Sequence, residues 1–262
     1  MTARRTLRER RLFRDNGRAL IVAMDHARSF NTITGLKDPN AVIKSVMSAG
    51  ADAILGSYGT AKGAHEELGN GGIWLSADTT PDTVVSTVEY ALRLGVDGIK
   101  SEVYPWCTPE NDRFGRRNGA ETIVSTSCLA AECHKWGLPL LVEAVPFGWP
   151  AVEERTAETT AAACRIASEA GADYVKAFYT GDKTSFRDLV DNCTVPVVVL
   201  GGGKVDSDSD VLSTVSDAME AGAVGVAIGR NIWGHDNVAG MTAALAAVIH
   251  DGADIDTAVK LI

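Results

Sequence analysis

Eight short apolar segments alternate with longer amphipathic segments along most of the 262-residue sequence. The predicted strands span Ala19–Met24, Ala53–Ser57, Gly72–Ser76, Gly98–Val103, Leu140–Val145, Tyr174–Tyr179, Val197–Leu200 and Val224–Ile228. Nearly continuous apolar character is typical of parallel strands that are buried on both faces. Strands that alternate with helices in this way indicate a parallel sheet, and the length fits a single domain.

The segments between the strands have apolar residues at helical spacing. Clear examples of predicted helices are Pro81–Leu94, Gly119–Trp136, Ala157–Ala170 and Asp208–Ala221. Eight strand–helix units predict a closed (β/α)8 TIM barrel, of the α/β class, preceded by a short helical lead-in at about residues 1–17. An open Rossmann-like sheet is the alternative, but no Gly-x-Gly-x-x-Gly motif opens the first helix.

Several predicted helices end in a repeated glycine motif, in which the glycine lies two or three residues before the next predicted strand. The copies of the glycine motif contain Gly50, Gly95, Gly171 and Gly222. Glycine adopts the left-handed conformation after a helix without steric cost. The repeat therefore marks the points where helices give way to strands.

The formal net charge of −9 argues against nucleic acid or an anionic membrane as the main partner. An anionic small substrate would then need basic residues placed locally. The basic start of the sequence is not followed by the apolar segment of a secretory signal, and no apolar run has the length of a membrane span. Five cysteines without a Cys-x-x-Cys pair suit reduced thiols in a cytoplasmic protein.

Reactive side chains occur at or near the ends of the predicted strands, where a parallel barrel carries its active site. They are Asp25, His26, Lys100, Glu143 and Lys176. Lys176 lies within the sixth strand, and lysine is rarely buried without a partner. Burial and a second cation such as Lys100 would favour a neutral amine, which can attack a ketone and form an iminium. A structural ion pair of Lys176 with Glu143 or Asp25 is the alternative.

Two glycine-containing strand ends predict a phosphate site. The seventh strand runs into Gly201, Gly202, Gly203 and Lys204, and the eighth into Gly229 and Arg230. Bare backbone N–H groups with a guanidinium suit phosphate, and barrels often bind phosphate after these two strands. The alternative is that the glycines only form tight turns.

The five histidines are scattered and show no His-x-His or His-Glu-x-x-His spacing, so we expect no catalytic metal. Only His26 lies at the end of a predicted strand. Nothing in the sequence indicates another cofactor.

From about Arg18 onward the sequence resembles the archaeal-type class I fructose-bisphosphate aldolases. The matching segments are 23–26 (Ala-Met-Asp-His), 175–182, 195–204 and 225–233. The resemblance implies that Lys176 is the Schiff-base lysine and that Asp25 is a polar partner near the reacting carbons. It also implies a substrate phosphate at Gly201, Gly202, Gly203, Lys204, Gly229 and Arg230, and a homo-oligomer.

The sequence departs from this family just after the fifth strand, where the aldolases carry a Tyr acid/base in a Tyr-Pro-Arg-Gly context. Here the sequence reads Val145-Pro-Phe-Gly148. Glu143 resembles the catalytic Glu of the tagatose-bisphosphate aldolases, and Tyr104, Tyr179 and His26 are further acid/base candidates. The loop at 27–31 also lacks the Gly-rich character of the bisphosphate aldolases.

The leading hypothesis is therefore reversible aldol cleavage of a phosphorylated ketose or related sugar phosphate, other than standard fructose-bisphosphate cleavage. The autoinducer-2 phosphate thiolases resemble the sequence around Lys176 and also lack the Tyr. Acyl transfer to coenzyme A, or condensation, on a phosphorylated ketone is thus the alternative. A non-enzymatic binding barrel is a third possibility, which the many polar residues at strand ends disfavour.

Overall fold

A computed structural model describes residues 6–28, 33–112, 118–148, 155–203 and 207–262. Its strands β1 to β8 span Ala19–Ala23, Ala53–Gly56, Gly72–Ser76, Gly98–Val103, Leu140–Ala144, Tyr174–Phe178, Val197–Leu200 and Gly225–Ile228. They pair in parallel in chain order, and β8 pairs with β1 to close the barrel. The predicted (β/α)8 barrel is confirmed, and each strand boundary lies within one residue of its predicted position.

The helices α1 to α11 span Leu7–Leu12, Pro39–Ser48, Tyr58–Gly63, Val84–Leu94, Gly119–Trp136, Ala157–Glu169, Lys183–Asn192, Asp208–Glu220, Arg230–Trp233, Val238–Ala246 and Ile255–Val259. Short 3-10 helices follow β1 at Asp25–Arg28 and Thr34–Leu36. The helix predicted from Pro81 begins at Val84, because the three residues before it form turns. Within the described ranges, no helix is both long enough and apolar enough to cross a membrane.

The glycine motif before the strands has two structural roles. Its glycines have positive φ angles of 107°, 70°, 106° and 112° at Gly50, Gly95, Gly171 and Gly222. The Asp that follows in three copies accepts a hydrogen bond from the backbone N–H of the neighbouring strand. These bonds join Asp52 to Leu20 (2.6 Å), Asp97 to Ile73 (3.0 Å) and Asp173 to Leu140 (2.8 Å). The glycine motif thus links adjacent strands at the N-terminal end of the barrel.

Helix α1 closes the bottom of the barrel, which explains the helical lead-in predicted from the sequence. The ring of Phe13, just after α1, stacks on Tyr174 with centroids 4.7 Å apart and meets Trp74 edge-on at 6.4 Å. Gly98 leaves room for this packing, since a Cβ there would lie 2.5 Å from the Trp74 ring. The lower interior is therefore apolar, and the charged side chains occupy the layer near the C-terminal ends of the strands.

Asp52 is the strongest of the links at the N-terminal end. Its carboxylate also binds Arg14 Nε at 2.6 Å and the buried His250 Nε2 at 2.8 Å. We predict that Asp52→Ala lowers the free energy of unfolding by about 2–4 kcal/mol, because the buried Leu20 N–H and the buried His250 imidazole lose their acceptor. Urea denaturation measures this, with the exposed Asp82→Ala as control. Equal effects of the two variants would contradict the prediction.

Candidate active site

Strand register brings four charged side chains into one layer of the barrel interior. On β4 and β5, Glu102 is paired with Glu143, and on β5 and β6, Glu143 is paired with Lys176. Lys100 precedes Glu102 by two positions, and alternate residues of a strand point to the same face. The parallel register thus sets Glu143 between the residues of its two neighbouring strands.

Glu143 is shared by two buried lysines. Its Oε2 atom lies 2.8 Å from Lys176 Nζ and 2.8 Å from Lys100 Nζ. Lys100 Nζ also contacts Glu102 Oε1 at 2.5 Å and Asp25 Oδ2 at 3.4 Å. The side chains of Lys100, Lys176 and Glu143 are only 1%, 7% and 9% exposed. We call these five residues the lysine–carboxylate cluster.

The charges within the cluster set its protonation. Burial opposes ionisation of Glu143, but Lys100 and Lys176 outweigh it and lower the pKa of the carboxyl to about 2. Burial likewise opposes the charge on Lys100, and the three carboxylates raise its pKa well above the usual value. Glu143 is therefore ionised and Lys100 is charged at neutral pH.

Asp25 is held by a chain of hydrogen bonds that the sequence did not reveal. Ser76 Oγ donates to Asp25 Oδ2 at 2.6 Å, and Arg28 Nη1 donates to Ser76 Oγ at 2.6 Å. Burial raises the pKa of Asp25, but Lys100 and Lys176 lower it further, so the net shift is downward. Ser76 ends β3, so inspection of that strand end for hydroxyl groups would have identified it.

His26 lies between the cluster and the end of β8. Burial lowers its pKa to about 4, and the positive charges of Lys176 and Arg230 act in the same direction. Its ring meets Trp233 edge-on at 5.3 Å. A Cβ at Gly229 would lie 2.8 Å from His26 Cε1, so glycine is needed for this close packing. His26 is thus neutral at physiological pH.

The glycine loop after β7 is tied to the start of α9. Asn231 Nδ2 donates to the carbonyls of Gly201 (3.2 Å) and Gly203 (3.1 Å), and Arg230 Nη2 donates to that of Gly202 (2.7 Å). Gly202 has a φ of 63°, which favours glycine. Arg230 Nε is buried and has no hydrogen-bond partner within the described ranges. Lys204 lies outside the described residues.

The two tyrosine candidates are in different places. Tyr104 is buried, and its hydroxyl donates to Glu102 of the cluster. Tyr179 packs instead against Phe186 of α7, with ring centroids 5.3 Å apart. Burial and the charge of Asp217 raise the pKa of Tyr179. The structure therefore places Tyr104 at the cluster and Tyr179 in the layer between barrel and helices.

Arg155 is a second residue that the sequence did not single out. Its guanidinium carbon lies 4.4 Å from the centroid of the Phe178 ring, two residues after Lys176. Burial lowers the pKa of Arg155, and the negative charge of Glu143 opposes this shift. Its position depends on the course of the loop after β5, for which the sequence gives no signal. In the parts of the chain that the structure describes, no three His, Cys, Asp or Glu side chains are grouped to hold a metal ion.

A buried amine in contact with an ionised carboxylate can form an imine with a ketone, because the carboxylate can accept and return protons. Two named proteins are similar to this chain over nearly its whole length. A 2-amino-3,7-dideoxy-D-threo-hept-6-ulosonate synthase of Halobacterium salinarum is 36% identical over 264 residues, covering 98% of this chain and 95% of that protein. A class 1 fructose-bisphosphate aldolase of Thermoproteus tenax is 31% identical over 254 residues, covering 92% and 93%.

Two solved aldolase structures are also similar to this chain. The Schiff base-forming fructose-1,6-bisphosphate aldolase, 29% identical, matches with a TM-score of 0.77 over 94% of this chain and 100% of that one. An archaeal fructose 1,6-bisphosphate aldolase, 28% identical, matches with the same score and coverage. The sequence pattern of the DeoC/LacD family aldolases matches residues 19–235, from the start of β1 to just beyond α9. The chain therefore belongs to the DeoC/LacD aldolase family and is an enzyme of the lyase class.

Proposed function

We propose that the protein is a class I aldolase that cleaves and forms a carbon–carbon bond in a phosphorylated ketose through an imine on Lys176. The observation that carries this proposal is the contact of Lys176 Nζ with Glu143 at 2.8 Å in the buried upper layer of the barrel. A neutral lysine amine adds to a ketone, and the loss of water leaves an iminium that accepts electrons. The resemblance of the sequence to class I aldolases implies the same lysine, which supports the proposal.

Glu143 is proposed to move the protons. It is close enough to Lys176 to take a proton from the adding amine and to return it to the departing hydroxyl. In cleavage, a base removes the proton of the hydroxyl group on the carbon that becomes the aldehyde. The electron pair of the breaking bond then moves to the iminium and gives an enamine. Protonation of the enamine carbon and hydrolysis of the imine release the second product and restore the amine.

The remaining cluster residues have supporting roles in this proposal. Lys100 is charged, so it balances Glu143 and Asp25 and is not available as the nucleophile. Asp25, positioned by Ser76, accepts a hydrogen bond from a substrate hydroxyl. Tyr104 can exchange a proton with Glu102 and is the second acid/base candidate. His26 is neutral and can accept or donate a hydrogen bond at the mouth of the site.

The substrate phosphate is proposed to bind between the ends of β7 and β8. Arg230 Nε offers a buried donor without a partner in the described residues, and the carbonyls of the glycine loop are already bonded to Arg230 and Asn231. The backbone N–H groups of Gly201, Gly202 and Gly203 and the close turn at Gly229 complete the proposed site. Lys204 belongs to it on the basis of the sequence alone.

Condensation is a second candidate, because the Halobacterium salinarum relative is a synthase. The same iminium and enamine serve bond formation, so this candidate differs in direction and partner rather than in the nucleophile. Acyl transfer to coenzyme A also uses such an iminium, but it requires a thiol acceptor. The requirement for a thiol therefore separates acyl transfer from aldol cleavage.

We predict that Lys176→Met abolishes turnover. Aldehyde release is measured with fructose 1-phosphate, fructose 1,6-bisphosphate, tagatose 1-phosphate and tagatose 1,6-bisphosphate, each with and without coenzyme A. Loss of the nucleophile should reduce kcat by at least about 10³-fold. Binding of glycerol 3-phosphate, which has no carbonyl, should be largely unchanged by calorimetry. Lys183→Met, at a half-buried lysine on α7, serves as the control.

Substantial activity in Lys176→Met would contradict the covalent mechanism. Cleavage that occurs only with coenzyme A would favour acyl transfer over aldol cleavage. Failure of the wild-type protein to release aldehyde from any of the four sugars would contradict the proposed cleavage activity.

We further predict that Glu143→Gln lowers kcat by about 10²–10⁴-fold, as removal of a general acid/base does. A carboxyl with a lowered pKa loses its charge only as the pH falls through that value, here about 2. Ionisation of Glu143 should therefore cause no decline of kcat/KM between pH 8 and pH 5. Circular dichroism checks that the variant is folded. A variant that keeps more than about a tenth of wild-type kcat would rule out the role.

A further inference from the structure

Three polar side chains lead from the protein surface to Asp25 of the lysine–carboxylate cluster. Asp78 Oδ2 contacts Arg28 Nη2 at 2.6 Å, and Arg28 Nη1 donates to Ser76 Oγ at 2.6 Å. The side chains of Asp78 and Arg28 are 53% and 22% exposed. Ser76 is fully buried, so water does not replace its partners. We call Asp78, Arg28 and Ser76 the Arg28 network.

The short 3-10 helix after β1 brings Arg28 to the same side as Asp25. These are its last and first residues, and side chains three positions apart lie above one another in a 3-10 helix. Ser76 ends β3, and the pairing of β3 with β4 sets it beside Lys100. Ser76 Oγ can therefore bond to both ends of the 3-10 helix, at 2.6 Å from Arg28 Nη1 and 2.6 Å from Asp25 Oδ2.

The chemistry of the Arg28 network fixes the direction of its hydrogen bonds. A guanidinium group only donates, and a serine hydroxyl has a single hydrogen to donate. Because Arg28 donates to Ser76 Oγ, the hydroxyl hydrogen is directed to Asp25 Oδ2. Hydrogen bonds in a chain polarise one another, so the cation makes the hydroxyl a stronger donor. The network therefore holds Asp25 Oδ2 in one position.

The two carboxylate oxygens of Asp25 consequently differ. Oδ2 accepts from Ser76 and lies 3.4 Å from Lys100 Nζ. Oδ1 accepts no hydrogen bond within the described ranges, since His26 Nδ1 is 3.9 Å away. Burial raises the pKa of Asp25, but Lys100 and Lys176 lower it further, so the carboxyl is ionised at neutral pH. Oδ1 is thus the oxygen that can accept a hydrogen bond from a substrate.

We propose that Arg28 is a positioning residue of the active site, which acts through Ser76 to keep Asp25 Oδ1 directed at a substrate hydroxyl. The proposal rests on the proposed function, in which Asp25 accepts that hydrogen bond. Asp78 is the outer anchor that holds the guanidinium in place. The segment after β1 therefore serves the reaction through Arg28 as well as through Asp25 and His26.

The first test is Arg28→Met, assayed with whichever of the four sugar phosphates the wild-type protein cleaves best. We expect kcat for aldehyde release to fall by about 10–100-fold, because the Asp25 carboxylate can then rotate out of position. Binding of glycerol 3-phosphate, measured by calorimetry, should be largely unchanged. Arg165→Met is the matched control, since its Nη2 pairs with Glu169 and its Nη1 donates to the Asn192 carbonyl on the outer helices.

A double-mutant cycle tests whether Arg28 acts through Ser76. Ser76→Ala should lower kcat at least as much as Arg28→Met, because it removes the bond to Asp25 itself. The double variant should be no slower than Ser76→Ala, since effects along one hydrogen-bonded path are not additive. Independent effects on structure would multiply instead. Circular dichroism checks that each variant is folded.

Asp78 provides a second cycle at an exposed position, which stands even where Ser76→Ala does not fold. Asp78→Ala should lower kcat less than Arg28→Met does, because the guanidinium still reaches Ser76. In the Arg28→Met background it should cause no further loss, since its only proposed role is to hold the guanidinium.

Three results would overturn the positioning role while leaving the Lys176 chemistry intact. They are wild-type kcat in Arg28→Met, an equal fall of kcat in Arg165→Met, and multiplied losses in the double variants. A wild-type protein that releases aldehyde from none of the four sugars would contradict the proposed function itself.

Discussion

The carboxylate of Glu143, shared between two buried lysines, is the interaction on which the rest of the site depends. An ammonium group in a barrel interior costs several kcal/mol unless it is paired and hydrogen-bonded. Parallel register places Glu143 beside Lys176, and the nearby Asp25 and Glu102 offset the charge of Lys100. The protein can therefore hold two lysines in one layer with Lys100 charged, while Lys176 contacts a carboxylate that can exchange protons with it.

Much of the fold could be predicted because the strands are buried on both faces. Continuous apolar segments identified all eight strands, and the glycine motifs located turns before four of them. The same glycine motifs also carry residues that join neighbouring strands, a role that hydrophobic periodicity does not reveal. The Asp residues that follow the glycines bond to neighbouring strands at the N-terminal end, so part of the repeat concerns the joining of strands. That role depends on which strands are neighbours, which only the closed barrel determines.

The candidate site was predictable where it depends on strand position and not where it depends on side-chain direction or loop course. Lys176, Lys100 and Glu143 share the interior because alternation along strands places them there. The ion pair of Lys176 with Glu143, considered as a structural alternative, is present, and the proposed mechanism uses that same pair. Tyr104 and Tyr179 could not be distinguished in advance, since both simply follow strands. The support of Asp25 by Arg28 through Ser76 joins distant parts of the sequence.

The identity of the lysine that forms the imine is the most direct test of this account. The protein is incubated with a ketose phosphate that it cleaves, reduced with borohydride, digested, and analysed by mass spectrometry. We predict one adduct per chain on the peptide that contains Lys176, with Lys100 unmodified because it stays charged among three carboxylates. An adduct on Lys100 or another lysine, or the absence of any adduct during turnover, would contradict the proposed role of Lys176.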